Sequence, residues 1–207
     1  MDHRDWNKRY ADKEFVWTVD PNRFLVAEAG GLASGRALDL GCGEGRNAVW
    51  LAEQGWQVTA VDFSEVGLDK ARRLASARGV RITWVLADVT TYHPKADAYD
   101  LVLMCYLQLP NRQRRAVLAH AKHALAPQGT LLYIGHDLSN LAHGWGGPQD
   151  PAVLCSPQDV VAELADLRIV KAEVRSRPVA REPTHGGPLE AIALDCIVRA
   201  VRIARSK

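Results

Sequence analysis

The stretch Ala37-Leu38-Asp39-Leu40-Gly41-Cys42-Gly43-Glu44-Gly45-Arg46-Asn47 restricts the fold of this chain more than any other. An apolar strand runs into three glycines, and an apolar helix follows from Asn47 to Glu53. A buried strand that turns at once into a helix needs backbone positions with positive φ or no Cβ, and glycine supplies both. The bare turn also lets a ligand approach the main chain. A second strand, Gln57 to Val61, ends in Asp62, nineteen residues after Gly43. That is close to the spacing at which a nucleotide-binding βαβ unit sets a carboxylate on ribose hydroxyls. The bland alternative is a structural turn with a solvated acid. Strand, turn, helix, strand and acid in one frame favour the ligand.

The rest of the chain repeats the alternation. Asp5 to Ala11 reads as a short helix in an aromatic, charged stretch holding Trp6, Tyr10, Phe15 and Trp17. Such a stretch serves either as a terminal hydrophobic staple or as a cover over a cleft. Asp20 is the expected cap of a helix with Pro21 in its first turn, ended by Gly30-Gly31. Ser64 caps a helix to about Arg78. Strands follow at Arg81 to Leu86, Tyr99 to Cys105 and Thr130 to Gly135, with a helix opening at Leu109-Pro110-Asn111 and a turn at Pro127-Gln128-Gly129. The segment from Leu138 to Cys155 has no clear period and holds three glycines and two prolines, so it reads as a long functional loop. Ser156 to Asp159 has the form of a capping box, with a helix to about Ala165 behind it. Ile169 to Arg175 alternates as a half-wet strand, Arg177 to Leu189 reads as loop, and Ala191 to Arg202 is the last strand. Five strands alternating with helices and two more without one predict an α/β chain with a doubly wound sheet and an antiparallel ending.

The 207 residues suit one domain, a core over 36–207 with a cap over 1–30. A net charge of +2 gives no bulk argument for nucleic acid or a membrane surface. Cys42, Cys105, Cys155 and Cys196 show no CxxC spacing and sit in mostly apolar surroundings, which fits a reducing compartment. The first residues are polar, without a signal-peptide pattern, and no apolar run reaches membrane-spanning length. The expectation is a cytoplasmic monomer or homodimer with no nucleic-acid or membrane partner. No metal is expected. His120 and His123 share a helix face but have no acidic or cysteine partner near them in sequence.

The wording Leu-Asp-Leu-Gly-Cys-Gly-Glu-Gly resembles motif I of class I S-adenosylmethionine-dependent methyltransferases. The resemblance covers essentially the whole chain and implies the Rossmann-like seven-stranded, mostly parallel sheet of order 3-2-1-4-5-7-6, with the last strand antiparallel. Within the class, Leu-Gly-Cys-Gly-Glu-Gly-Arg-Asn and the Trp6-to-Tyr10 start are similar to the tellurite-resistance and thiopurine methyltransferase group. The cofactor so implied is S-adenosylmethionine. Gly41, Cys42, Gly43 and Gly45 would approach its methionine part, and Asp39 would reach its ammonium. Asp62 would accept the ribose hydroxyls and Phe63 would lie along the adenine. Asp88 would accept from the adenine amine, with the Val89 N–H facing a ring nitrogen. The Cys105 carbonyl would hold the ammonium. Arg46 is the candidate for the carboxylate by charge and place, and Trp17 is counted with the cofactor residues.

Methyl transfer is an in-line displacement at a sulfonium, so alignment and exclusion of water come first. A base is needed only where the acceptor arrives protonated with a high pKa. Candidates are Tyr106, His136, Asp137, His143 and His185, with Arg181 beside them as a basic residue ahead of the last strand. The expected activity is methylation of a small molecule at S, N, O or a heavier chalcogen. The rivals are a nicotinamide-dependent oxidoreductase on a similar core and a non-catalytic protein that binds S-adenosylmethionine as a signal.

Overall fold

The computed structural model describes residues 2–180 and 190–203. The seven strands are β1 (Arg36–Leu40), β2 (Gln57–Asp62), β3 (Thr83–Leu86), β4 (Tyr99–Cys105), β5 (Leu125–His136), β6 (Arg168–Ala180) and β7 (Glu190–Val201). They form one sheet of order β3-β2-β1-β4-β5-β7-β6. β1 to β5 run parallel, and β7 runs antiparallel to both β5 and β6. The expected order and the antiparallel ending are both present.

Helices α1 (His3–Ala11), α2 (Arg23–Ala29), α3 (Arg46–Glu53), α4 (Glu65–Ala77), α5 (Asn111–Ala124), α6 (Asn140–His143) and α7 (Pro157–Glu163) fill the connections. Residues alternate between the two sheet faces, as a period of two requires. Leu38, Leu40, Val102, Met104, Leu131 and Val198 join Val117, Leu118 and Val160 in one core. Ala37, Val58, Leu101, Leu103, Leu132 and Ile197 join Phe24, Leu25 and Leu51 in the other. Asp39 stands two residues from Ala37, so its pleat aims it to the second face, among apolar neighbours.

Where the larger departures from expectation fall, each has a local reason. Asn22, not Asp20, caps α2, its side chain accepting from the N–H of Phe24 at 2.9 Å and Leu25 at 3.3 Å. Asp20 instead pairs with the Thr18 hydroxyl, which leaves Pro21 ahead of the cap. β5 begins at Leu125, opposite Tyr99, and absorbs the expected turn as a register shift around Gln128, whose φ is +66. The loop expected from 138 contains α6 and a 3-10 turn at Pro151–Val153. β6 runs on through residues 177–180, pairing Arg177 with Ala193 and Pro178 with Ile192. Pro178 breaks no ladder because β6 is an edge strand, where a missing N–H faces away from the sheet.

The capping box at α7 is as expected. The Ser156 hydroxyl accepts from the Asp159 N–H at 3.2 Å, and Asp159 Oδ2 accepts from the Ser156 N–H at 2.8 Å. These bonds hold the Asp159 carboxyl below its usual range. Ser156→Ala is expected to cost about 1 kcal/mol. In thermal unfolding that corresponds to a fall in Tm of about 2–4 °C.

Candidate functional site

The carboxyl ends of β1, β2, β4 and β5 meet at one edge of the sheet, where open α/β sheets take their ligands. The turn after β1 folds over the end of β2. Gly41 N and Cys42 N both donate to Val61 O, at 2.8 and 3.1 Å. Gly43 and Gly45 lie in the left-handed region, at φ +54 and +82. A Cβ on Gly45 would stand 2.6 Å from the Ala71 Cβ of α4, so helix packing as well as conformation demands glycine there.

Asp62 closes this turn. Its Oδ2 accepts from Gly43 N at 2.8 Å and its Oδ1 from Ser64 N at 2.8 Å. Each oxygen keeps a second lone pair for a ligand hydroxyl. Burial pushes its pKa up, against the pull of those N–H groups. Asp39 is more deeply placed, at 1% exposure. Its Oδ2 has no hydrogen-bond partner. Burial, then the Asp62 charge, raises its pKa to about 7, with Arg46 pulling the other way. A buried carboxylate oxygen left unpaired is costly, and a cation is the group that relieves it. An ammonium or sulfonium ligand therefore fits the residues present.

Of the remaining expected cofactor residues, Phe63 is half-buried beside Asp62, and Cys42 and Cys105 are packed. Burial drives the Cys42 thiol far up and the Cys105 thiol to about 12, so neither acts as a thiolate nucleophile. Asp88 is exposed and closes a turn, its Oδ1 accepting from Thr90 N and Oγ1 at 2.8 Å each. Val89 packs into the core. Trp17 is 42% exposed, with the Arg9 guanidinium 5.0 Å from its ring.

The N-terminal segment packs directly on the glycine turn. Tyr10 of α1 is buried, and its Oη would lie 2.7 Å from a Cβ on Gly43. Burial and the charges of Asp62 and Glu44 push its pKa up, so the phenol stays protonated. Asn7 accepts from the Ser64 hydroxyl at 2.5 Å. Glu44, between two of the glycines, accepts from Val16 N at 3.0 Å, Trp17 N at 3.1 Å and Lys70 Nζ at 2.9 Å. Lys70 also donates to Lys13 O at 2.5 Å. Sequence reasoning missed that Tyr10 and Lys70 pack on the glycine turn. The available signal was a lysine among the apolar positions of α4.

A second cluster stands beside the first. His136, at the end of β5, is paired in register with Asp195 of β7. Its Nδ1 lies 3.2 Å from Asp195 Oδ1, and Arg177 Nε donates to Asp195 Oδ2 at 2.9 Å. Asp195 is fully buried, and these two partners hold its pKa below the usual carboxylate range despite burial. Tyr106 follows β4 with a φ of +54, unusual for a side chain of that size. Its ring lies 4.8 Å from the His136 ring, and burial followed by the Asp195 charge pushes its phenol pKa up. Asp137 turns the other way and accepts from Ser139 N and Oγ at 2.9 and 2.5 Å, so it organises the loop. His143 ends α6. Arg181 and His185 lie outside the described residues. The charges of Asp39, Arg46 and Asp195 all reach the Cys105 thiol, so the two clusters flank the end of β4. Asp195 and Arg177 escaped sequence reasoning, although an aspartate inside an apolar strand was the signal, as for Asp39.

Among the described residues no group of three or more His, Cys, Asp or Glu is placed to hold a metal, and no helix is long and apolar enough to cross a membrane.

Residues 37–129 match the family model of the methyltransferase domain. A ubiquinone biosynthesis O-methyltransferase of Vibrio cholerae is 36% identical over 88 residues, 41% of this chain and 36% of that relative. The matched stretch thus spans little more than a third of that relative's length. Thiocyanate methyltransferase 1 of Brassica oleracea is 27% identical over 166 residues, 77% of this chain and 72% of the relative. A solved structure from the conversion of a disulfide bond into a thioacetal group during echinomycin biosynthesis superposes with a TM-score of 0.73 at 23% identity. It covers 99% of this chain and 94% of that one. The fold is the Rossmann-like fold of S-adenosylmethionine-dependent methyltransferases.

Proposed function

We propose that this chain is an S-adenosylmethionine-dependent methyltransferase acting on a small molecule. The observation that carries the reading is the buried, unpartnered Asp39 Oδ2 beside the bare glycine turn. A donor that is both ammonium and sulfonium suits that charge. Asp62 keeps lone pairs for ribose hydroxyls, Phe63 and Asp88 border the adenine, and Arg46 takes the carboxylate. Gly41, Gly43, Gly45 and the Cys105 carbonyl line the methionine part. The bound donor supplies an activated methyl group; the chain's own residues align it with the acceptor and keep water out.

The methyltransferase domain match and the names of the relatives support the reading. The motif wording further supports a place near the tellurite-resistance and thiopurine group, and the modest net charge supports a small acceptor over a nucleic acid. A cytoplasmic monomer or homodimer completes the proposal. Calorimetric titration tests it. S-adenosylmethionine is expected to bind with one-to-one stoichiometry, and nicotinamide dinucleotides are expected to give no heat. Asp62→Ala is expected to weaken donor binding by about 10- to 100-fold, the worth of one or two hydrogen bonds to a charged group. Saturating binding of a nicotinamide dinucleotide instead would overturn the assignment.

A further inference from the structure

From the cluster around Gly135 we infer that Cys155 and Cys196 form a reversible disulfide when the chain meets hydrogen peroxide, with Cys155 oxidised first and Cys196 completing the bridge. The cluster lies on the sheet face opposite the one toward which Asp39 is aimed, and the inference does not depend on the proposed methyl transfer.

All four cysteines are free thiols. Cys155 and Cys196 are both buried, and both belong to the core that holds Tyr133. Tyr133 and Gly135 stand two apart on β5 and so share a face, and Gly135 is the register partner of Cys196. The Tyr133 side chain lies along its own strand, because a Cβ on Gly135 would stand 3.0 Å from Tyr133 Oη. Directly opposed residues of an antiparallel pair hold their Cβ atoms about 4.5–5.5 Å apart. The hydroxyl therefore lies within reach of the Cys196 side chain. That same hydroxyl is 3.1 Å from Cys155 Sγ. Both thiols converge on one hydroxyl, in the space that glycine leaves at position 135.

The surroundings set the order of events. Bonding from Cys196, then from Tyr133, with the Arg114 charge of α5 behind them, holds the Cys155 thiol below its ordinary value against burial and the Asp159 charge. Cys196 moves up, through Cys155, burial and the Asp137 charge. Arg114 is itself buried and donates to Leu154 O at 3.3 Å, one residue ahead of Cys155. The thiolate is the form of cysteine that attacks a peroxide, and its neighbour then serves as the resolving thiol. Burial drives Cys42 and Cys105 the other way, so neither competes for the first step.

Cys155 lies where the segment 138–155 returns to the sheet. It is attached there through an isolated bridge to Asp137, with Leu138 N donating to Cys155 O at 3.2 Å. The 3-10 turn just before it, Pro151–Val153, has no buried residue. A segment attached in this way opens without unfolding the sheet, and that opening admits a molecule as small as hydrogen peroxide. In the first step the Cys155 sulfur bonds to one peroxide oxygen as the O–O bond breaks. The departing hydroxide takes up the proton that Cys155 gave up and leaves as water, and Cys155 becomes a sulfenic acid. The Cys196 sulfur then bonds to the Cys155 sulfur as the S–O bond breaks, and the hydroxyl leaves as water with the Cys196 proton. The two thiols lose two electrons and the peroxide gains them. The bridge pins the end of the segment that carries α6 to β7, where Cys196 adjoins Asp195.

The test treats the reduced, folded chain with hydrogen peroxide, blocks the remaining thiols with N-ethylmaleimide and maps the unreduced digest by mass spectrometry. The intact chain is expected to lose two hydrogens and to yield one peptide pair, joined at Cys155 and Cys196, with Cys42 and Cys105 blocked. Dithiothreitol is expected to return all four thiols. Cys196→Ala is expected to stop at the sulfenic acid on Cys155, captured by dimedone. Cys155→Ala is expected to slow oxidation of the remaining thiols by about tenfold or more. If either variant fails to fold, the map of the parent decides alone. A parent that keeps all its thiols under peroxide that fully converts glutathione would overturn the inference. So would a bridge to Cys42 or Cys105, or a Cys155 carried to the sulfinic acid without bridging. A folded Cys196→Ala chain whose Cys155 takes up no dimedone would overturn it as well.

Discussion

Asp39→Asn is expected to raise the melting temperature of the ligand-free protein and at the same time to weaken its grip on S-adenosylmethionine. Asp39 is buried with one oxygen unpaired, and its pKa stands at about 7 against 3.8 for the free group. A carboxyl whose folded pKa is raised destabilises the fold wherever it is forced to ionise. The penalty is absent below the unfolded value, grows as pH rises from 3.8 to 7, and is full above that. At pH 8 it is on the order of 4 kcal/mol. Asparagine removes the charge, so Tm is expected to rise by several degrees at pH 8, with the gain shrinking as the pH falls toward 4. Donor binding moves the other way. Below pH 7 the parent must release a proton from Asp39 to receive an ammonium, so its Kd is expected to weaken about tenfold per pH unit. The asparagine variant is expected to bind weakly with most of this dependence gone. Differential scanning calorimetry and titration over the same pH series check both halves. A variant that loses stability at pH 8 and binds the donor unchanged would refute the role of Asp39.

Lys70→Met is expected to be the most destabilising single change outside the sheet. Lys70 and Glu44 are both nearly out of reach of water, 2.9 Å apart. Glu44 keeps the N–H groups of Val16 and Trp17, but its charge loses the one ammonium beside it. Breaking a buried pair from one side costs about 3–5 kcal/mol, because the surviving charge is left uncompensated. For a chain of this size Tm is expected to fall by about 10 °C. The double change Lys70→Met, Glu44→Gln removes both charges and is expected to recover most of the loss. That recovery, read as a double-mutant cycle from urea unfolding, separates charge from packing. A double variant no more stable than Lys70→Met would show that contacts of the ammonium other than Glu44, among them the Tyr10 and Phe15 rings at 6.0 and 5.8 Å, carry the effect.

The sheet was legible because its signals are local and agree with one another. The turn from Gly41 to Gly45, the acid at Asp62 and the nearly all apolar run Tyr99 to Cys105 each state both their element and their place in the order. The antiparallel close could be read from two strands lacking a helix between them. What escaped was of two kinds. Boundaries moved where two residues compete for one job, as Asp20 and Asn22 do for the α2 cap, or where edge pairing overrides a local breaker, as at Pro178. Long-range polar pairs escaped because neither partner announces the other. Arg177 meets Asp195 across a strand pair, and Lys70 of α4 meets Glu44 of the glycine turn. His136 was placed by its position at a strand tip, but the carboxylate beside its Nδ1 lies 59 residues on, in β7.

The far rim of the sheet has a consequence for how copies of the chain treat one another. β6 is thirteen residues long and, among the described residues, has no strand on its outer side. An open rim of that length is a template on which another molecule could add a strand and start an aggregate. This one is guarded: Pro178 interrupts the row of donors, and the register shifts between Ile169 and Lys171. Lys171, Glu173 and Arg175 set alternating charge along it. At the opposite rim β3 is only four residues long, too short to serve as a template. Protein made at high concentration is therefore expected to stay dispersed.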